Sequence, residues 1–180
     1  MTEVGIVYGQ ALYDLAKSES LSKEIWQELC ILQHCFCVEE PDFLRLLSSP
    51  ALTKQERCQI LDDSFRGKLQ PYVLNFLKIL TEKGYIPKLK DCIKTYQALY
   101  YRDNGILLVE AVTAAPLTTD QLQRLTRKLC DVTGKQIELR CRVDETCLGG
   151  IRLHYDGKEL DDTLSARLEA MGKLLKNTVL

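Results

Sequence analysis

The hydrophobic period of this chain changes once, at Asp103-Asn104-Gly105, and that change limits the architectures open to it. Before it, apolar residues recur every three to four positions, as they do on one side of a helix. After it they come in short runs and in strict alternation, as they do in strands. The chain therefore reads as an α+β protein, with an N-terminal six-helix bundle over 1–104 and a small C-terminal α/β domain over 105–180. Its 180 residues, 46% hydrophobic and 27% charged, supply enough apolar material for a folded core.

Helix boundaries are written in the punctuation. Val4, Tyr8, Ala11, Leu12 and Leu15 form one stripe of the first helix, and Ile6, Gly9, Tyr13 and Ala16 form a second beside it. Leu21, Ile25, Leu29, Leu32 and Phe36 repeat the pattern after a Ser18–Ser20 break, with Ser20 and Ser22 as expected N-caps. Pro41 opens a short third helix that Ser48-Ser49-Pro50 stops. Thr53 and Glu56 have the spacing of a capping box for the fourth, which Gly67 ends. Pro71 opens the fifth, closed by Gly84, and the sixth follows Pro87.

Beyond residue 104 the order reads β-α-β-β-α. The first strand lies over 106–112, Pro116 and Thr118 introduce a helix carrying Leu122, Leu125 and Leu129, and 136–143 alternates polar and apolar. Gly149-Gly150 precedes a third strand, Asp156-Gly157 marks a hairpin turn, and Leu164, Leu168, Met171 and Leu175 lie on one stripe of a closing helix.

Charge and motif content exclude more than they suggest. A formal net charge of −1 lacks the basic excess of a nucleic-acid binder. No basic leader and no apolar run of about 18 residues appears, so the expected location is the cytoplasm, with any membrane association made through a partner. The eight cysteines contain no Cys-x-x-Cys pair. Cys30, His34 and Cys37 share a helix side and Cys35 points elsewhere, so the cysteines read as small buried hydrophobes and no metal is expected. Gly149-Gly150 lacks the Lys-Ser/Thr of a phosphate loop. Asp144, Glu145, Asp156, Asp161 and Asp162 sit where acids cap backbone amides. No catalytic residue and no cofactor is expected.

Two helices carry more apolar surface than one core-facing stripe needs. The first has two stripes, and the fifth is apolar around most of its circumference. Either both are central helices of the bundle, or they border a groove for an amphipathic helix of another protein, lined by Gly5, Tyr8, Gly9, Leu12 and Tyr13 with Phe76, Ile79, Leu80 and Lys83. Gly5 and Gly9, one turn apart, are expected to admit a partner backbone, since glycine inside a helix otherwise costs about 1 kcal/mol.

Val143-Asp144-Glu145-Thr146-Cys147-Leu148-Gly149-Gly150-Ile151, then Gly157 and Asp161-Asp162-Thr163-Leu164, resemble the closing signature of the delta subunit of bacterial F-type ATP synthase, a relative of the mitochondrial oligomycin-sensitivity-conferring protein. Tyr8-Gly9-Gln10-Ala11-Leu12, Asn75-Phe76-Leu77 with Leu80 and Gly84, and Ala114-Ala115-Pro116-Leu117 extend the resemblance over the whole length. The chain departs from the family at Gly9, usually Ala, at Tyr85, usually Arg, and at Arg57, where a Lys is expected. The resemblance implies a non-enzymatic stator subunit of the peripheral stalk. Its helical domain would bind N-terminal segments of the alpha subunits on the catalytic head. Its C-terminal part would join the b subunits, here through Leu168, Met171 and Leu175. A small RNA-associated protein and a zinc protein using Cys30, His34 and Cys37 are the alternatives.

Overall fold

The computed structural model describes residues 2–36, 41–49, 51–144, 147 and 149–161. Contacts divide the chain into two compact units, Met1–Tyr100 and Tyr101–Leu180. Among the described residues it is an α+β protein of seven α-helices and one four-stranded sheet. No helix among them is long and apolar enough to cross a membrane.

The first unit holds α1 (Glu3–Ser18), α2 (Ser22–His34), α3 (Pro41–Ser48), α4 (Lys54–Phe65), α5 (Pro71–Glu82) and most of α6 (Leu89–Asp103), with a 3-10 turn at Ile86–Lys88. The predicted capping box forms: Thr53 Oγ1 accepts from the Glu56 amide at 3.3 Å, and Glu56 accepts from the Thr53 amide at 2.8 Å. Arg57 reaches from α4 to donate to the Leu47 carbonyl at 3.2 Å, satisfying an acceptor in the last turn of α3.

Ser20 and Ser22 do not cap α2, contrary to the sequence expectation. The N-cap is Leu21, with no side-chain bond. Ser20 instead adopts φ +57 in the turn that ends α1, and the Leu21 amide donates back to the Ala16 carbonyl at 2.8 Å. Ser20 thus belongs to the end of α1, and Ser22 is the first residue of α2 rather than its cap.

Two contacts hold α2 against its neighbours. The Tyr96 hydroxyl on α6 donates to the Ser22 carbonyl at 2.9 Å, and burial pushes that phenol above its ordinary pKa. Both Glu28 carboxylate oxygens accept from the Gln70 amide, at 3.0 and 2.9 Å, just before Pro71 opens α5. Trp26 stacks on Tyr96 and Tyr100, while Tyr13 meets the edge of Tyr96.

In the second unit, β1 (Ile106–Thr113) runs parallel to β2 (Gln136–Val143) through α7 (Thr119–Thr133). It runs antiparallel to β3 (Ile151–Tyr155), giving the order β2-β1-β3-β4. Leu107, Val109, Ala111 and Leu153 form the core of one sheet face, covered by Leu125 and Leu129 of α7. Gly149 and Gly150 take φ +132 and +88 immediately before β3, conformations that side chains rarely adopt.

The fourth strand, β4 (Lys158–Asp161), is a correction to the three strands read from sequence. Lys-Glu-Leu-Asp has little apolar signal because it is an exposed edge strand, held by backbone pairing with β3. Asp156 adopts φ +45 in the intervening turn, and Asp161, at the end of β4, pairs with Arg152 at 2.9 Å. The predicted closing helix and Asp162 lie outside the described residues.

Candidate docking surfaces

The two stripes of α1 point in different directions and do different work. Gly5, Gly9, Leu12, Tyr13 and Ala16 are buried. A Cβ added to Gly9 would lie 2.5 Å from the Cys92 carbonyl oxygen, and one on Gly5 would lie 2.5 Å from the Asp91 Cβ. The close approach that these glycines permit is therefore to α6 of the same chain. This corrects the expectation that they admit a partner backbone.

The start of α1 is clamped to the same helix. Asp91 accepts from the Thr2 amide at 3.1 Å and from Thr2 Oγ1 at 2.8 Å, and Thr2 in turn caps α1 at the Gly5 amide. These bonds hold the Asp91 carboxyl below its ordinary pKa. A carboxylate with a depressed folded pKa contributes stability above its unfolded value, near pH 4, and loses that contribution as pH falls through the folded one. Asp91→Asn should therefore remove part of the acid-induced fall in stability, measured by thermal melts from about pH 5 to about pH 2.

The other stripe faces outward. At 3.6 residues per turn, Val4, Val7, Tyr8, Ala11 and Leu15 fall within an arc of roughly 100° beside the buried one. Val7 is 63% exposed and Leu15 39%, Ala11 is exposed, and Val4 and Tyr8 are half-buried. The Tyr8 ring meets Tyr85 edge-on at 5.9 Å, which brings the end of α5 to the border of this arc. Tyr85, where the resembled family usually has Arg, is 37% exposed.

On α5, Val73, Leu74, Phe76, Leu77, Leu80 and Thr81 are buried, while Ile79 is 45% exposed and Lys83 is exposed. Of the nine residues expected to line a groove, Gly5, Gly9, Leu12, Tyr13, Phe76 and Leu80 thus belong to the core of their own unit. Tyr8, Ile79 and Lys83 keep accessible surface. Periodicity placed two apolar stripes on α1 but not their division: Leu12, read in the first, is buried, and Ile6, read in the second, is 42% exposed. The available signal was residue size, because Gly5, Gly9 and Ala16 mark the side on which a second helix can come close. Val7, Leu15 and Tyr85 were missed as surface candidates.

In the second unit, α7 has no buried residue, and its leucines rest half-buried on the sheet. Val132 is 85% exposed, and Thr119, Leu122, Gln123, Thr126 and Arg127 line a shallow hollow of about 400 Å³. Leu168, Met171 and Leu175 lie outside the described residues.

The cysteines are less uniform than expected. Cys92 and Cys147 are buried, but Cys30 and Cys141 are exposed, which corrects their reading as buried hydrophobes. Cys30 lies on α2, and Cys141 lies near the end of the edge strand β2. Burial pushes the Cys92 thiol up to about 11, keeping it protonated at neutral pH. No group of three or more His, Cys, Asp or Glu placed to hold a metal occurs among the described residues, and Cys37 lies outside them.

Comparison with known proteins fits this arrangement of helical unit and small sheet. The family model "ATP synthase delta (OSCP) subunit" matches residues 4–175. The chain is 33% identical over 168 residues to ATP synthase subunit delta of Alkaliphilus oremlandii, covering 93% of each sequence. It is 32% identical over 174 residues to that of Lactobacillus gasseri, covering 96% of this chain and 94% of the relative. A chain in the cryo-EM structure of the Toxoplasma gondii mitochondrial ATP synthase hexamer shares the fold, with a TM-score of 0.76 at 20% identity, over 97% of this chain and 98% of that one. The chain belongs to the ATP synthase delta (OSCP) subunit family and is a non-catalytic peripheral-stalk subunit of an F-type ATP synthase.

Proposed function

We propose that this subunit ties the catalytic head to the peripheral stalk by two separate docking surfaces, one on each unit. The helical unit, read as a six-helix bundle over 1–104, takes up an amphipathic N-terminal segment of an alpha subunit. The C-terminal unit, 105–180, joins the b subunits, with Leu168, Met171 and Leu175 as contacts. The subunit then works at the cytoplasmic face of the membrane, attached through its partners, and resists rotation of the head while ion flow drives ATP synthesis. The task needs slow release rather than chemistry, and apolar burial at roughly 25 cal/mol per Å² provides it.

The observation that carries this reading is the exposed apolar arc of α1, Val4, Val7, Tyr8, Ala11 and Leu15, continued by Tyr85. Spacing of i, i+3, i+4, i+7 and i+11 suits a helix laid along it. Ile79 and Lys83 remain candidate contacts from α5. The groove is thereby shifted away from the six buried residues and onto the neighbouring stripe. In the C-terminal unit, the thinly covered α7 with exposed Val132 supports a second contact.

Co-purification from detergent-solubilised membranes tests both halves. The full chain should bring down alpha and b subunits together. Val7→Asp should lose the alpha subunits yet keep b, and its own fold should be unchanged, because exposed substitutions usually shift stability by less than about 0.5 kcal/mol. Retention of alpha at the wild-type level by folded Val7→Asp would remove the α1 assignment.

A further inference from the structure

The surface that borders the apolar arc of α1 carries opposite charges on its two sides. On the helix itself, the positions next to Val7 are Asp14 and Glu3, both exposed, with Gln10 beyond them. Lys17 lies further round, past Gln10, on the side away from the arc. Across the arc, Tyr8 meets Tyr85, and two exposed lysines bracket that tyrosine. Lys83 caps the end of α5, and the Lys88 amide donates to the Tyr85 carbonyl at 2.8 Å, folding the turn back on it. Two acids near this side keep their charge: Glu82 accepts from the Cys58 thiol on α4, and Asp91 is held by Thr2 at the start of α1, so the basic border is confined to the two lysines that bracket Tyr85.

We infer that the helix docked on α1 is charge-asymmetric, with acidic residues along the edge facing Lys83 and Lys88 and basic residues along the edge facing Glu3 and Asp14. The inference rests on the docking reading above and specifies its partner's chemistry. Apolar contact fixes which side of the docked helix faces α1 but not which way the helix runs. Opposite charges on the two borders select one direction and disfavour helices with one sign on both edges, where one border always repels. Exposed pairs of this kind are individually weak, so four of them act mainly on selectivity and association rate rather than on the strength of anchoring.

The test uses the full chain and four fluorescent synthetic helices that share one apolar face, titrated by anisotropy. Their edges are acidic and basic, both acidic, both basic, or both glutamine. At about 0.02 M salt the acidic-and-basic helix should bind about tenfold tighter than either single-sign helix, and at about 0.5 M that gap should largely close. In Lys83→Glu with Lys88→Glu, checked by circular dichroism, both borders are acidic and the both-basic helix should become the tightest binder. Identical ranking in wild type and the double variant would overturn the charge inference while leaving apolar docking intact, provided that the glutamine helix binds wild type and not Val7→Asp. Failure of all four helices to bind wild type would remove the docking reading, and the inference with it.

Discussion

Leu80→Asp should leave the helical unit unable to fold at room temperature. Leu80 is 0% exposed. The substitution removes about 2 kcal/mol or more of apolar burial. It also leaves a carboxylate that must either lie unpaired in the core or be protonated, at a further cost of several kcal/mol. Stability of a domain this size is about 5–15 kcal/mol, so most of it would be lost. Circular dichroism on heating should show no cooperative transition from this unit. Loss of partner binding by Leu80→Asp or by Leu12→Asp would accordingly report unfolding, not a broken contact.

Gly9→Ala separates space from propensity. In an open helix the change gains about 1 kcal/mol. Here the new Cβ would stand 2.5 Å from the Cys92 carbonyl oxygen and 2.7 Å from the Thr95 Cβ. Backbone on α6 cannot swing aside as the end of a flexible side chain does, so α1 and α6 must separate. Overpacking of this kind costs about 1–3 kcal/mol, which exceeds the gain. A net loss of about 1 kcal/mol, the middle of the range left once the gain is subtracted, is expected in urea denaturation, with the slope unchanged.

What could be read in advance follows the range of the physical signal. Local signals were legible, because a capping box at Thr53 and Glu56 or a proline at position 71 needs only its own few residues. The change of period at Asp103-Asn104-Gly105 likewise separated helices from sheet. Ser20 misled because the same residue type serves a helix end as readily as a helix start. Strand β4 escaped because its pairing lies in the backbone, not in the charged side chains of Lys-Glu-Leu-Asp. Six of the nine residues expected to line a groove are core residues, since apolar periodicity says that a face avoids water without saying what covers it. The glycines answered that question wrongly when read as an invitation to a partner, because α6 of the same chain fills the space beside them.

The division of α1 into an inward face and an outward docking face is tested most directly by titrating an alpha-subunit N-terminal peptide into three folded proteins: wild type, Val7→Asp and Ile31→Asp. Ile31, on α2, is 66% exposed, much like Val7 at 63%, and serves as the matched control away from the arc. The account predicts binding at least about tenfold weaker for Val7→Asp, from the lost burial of about 1.5 kcal/mol or more, and unchanged binding for Ile31→Asp. Equal affinity in all three would contradict it.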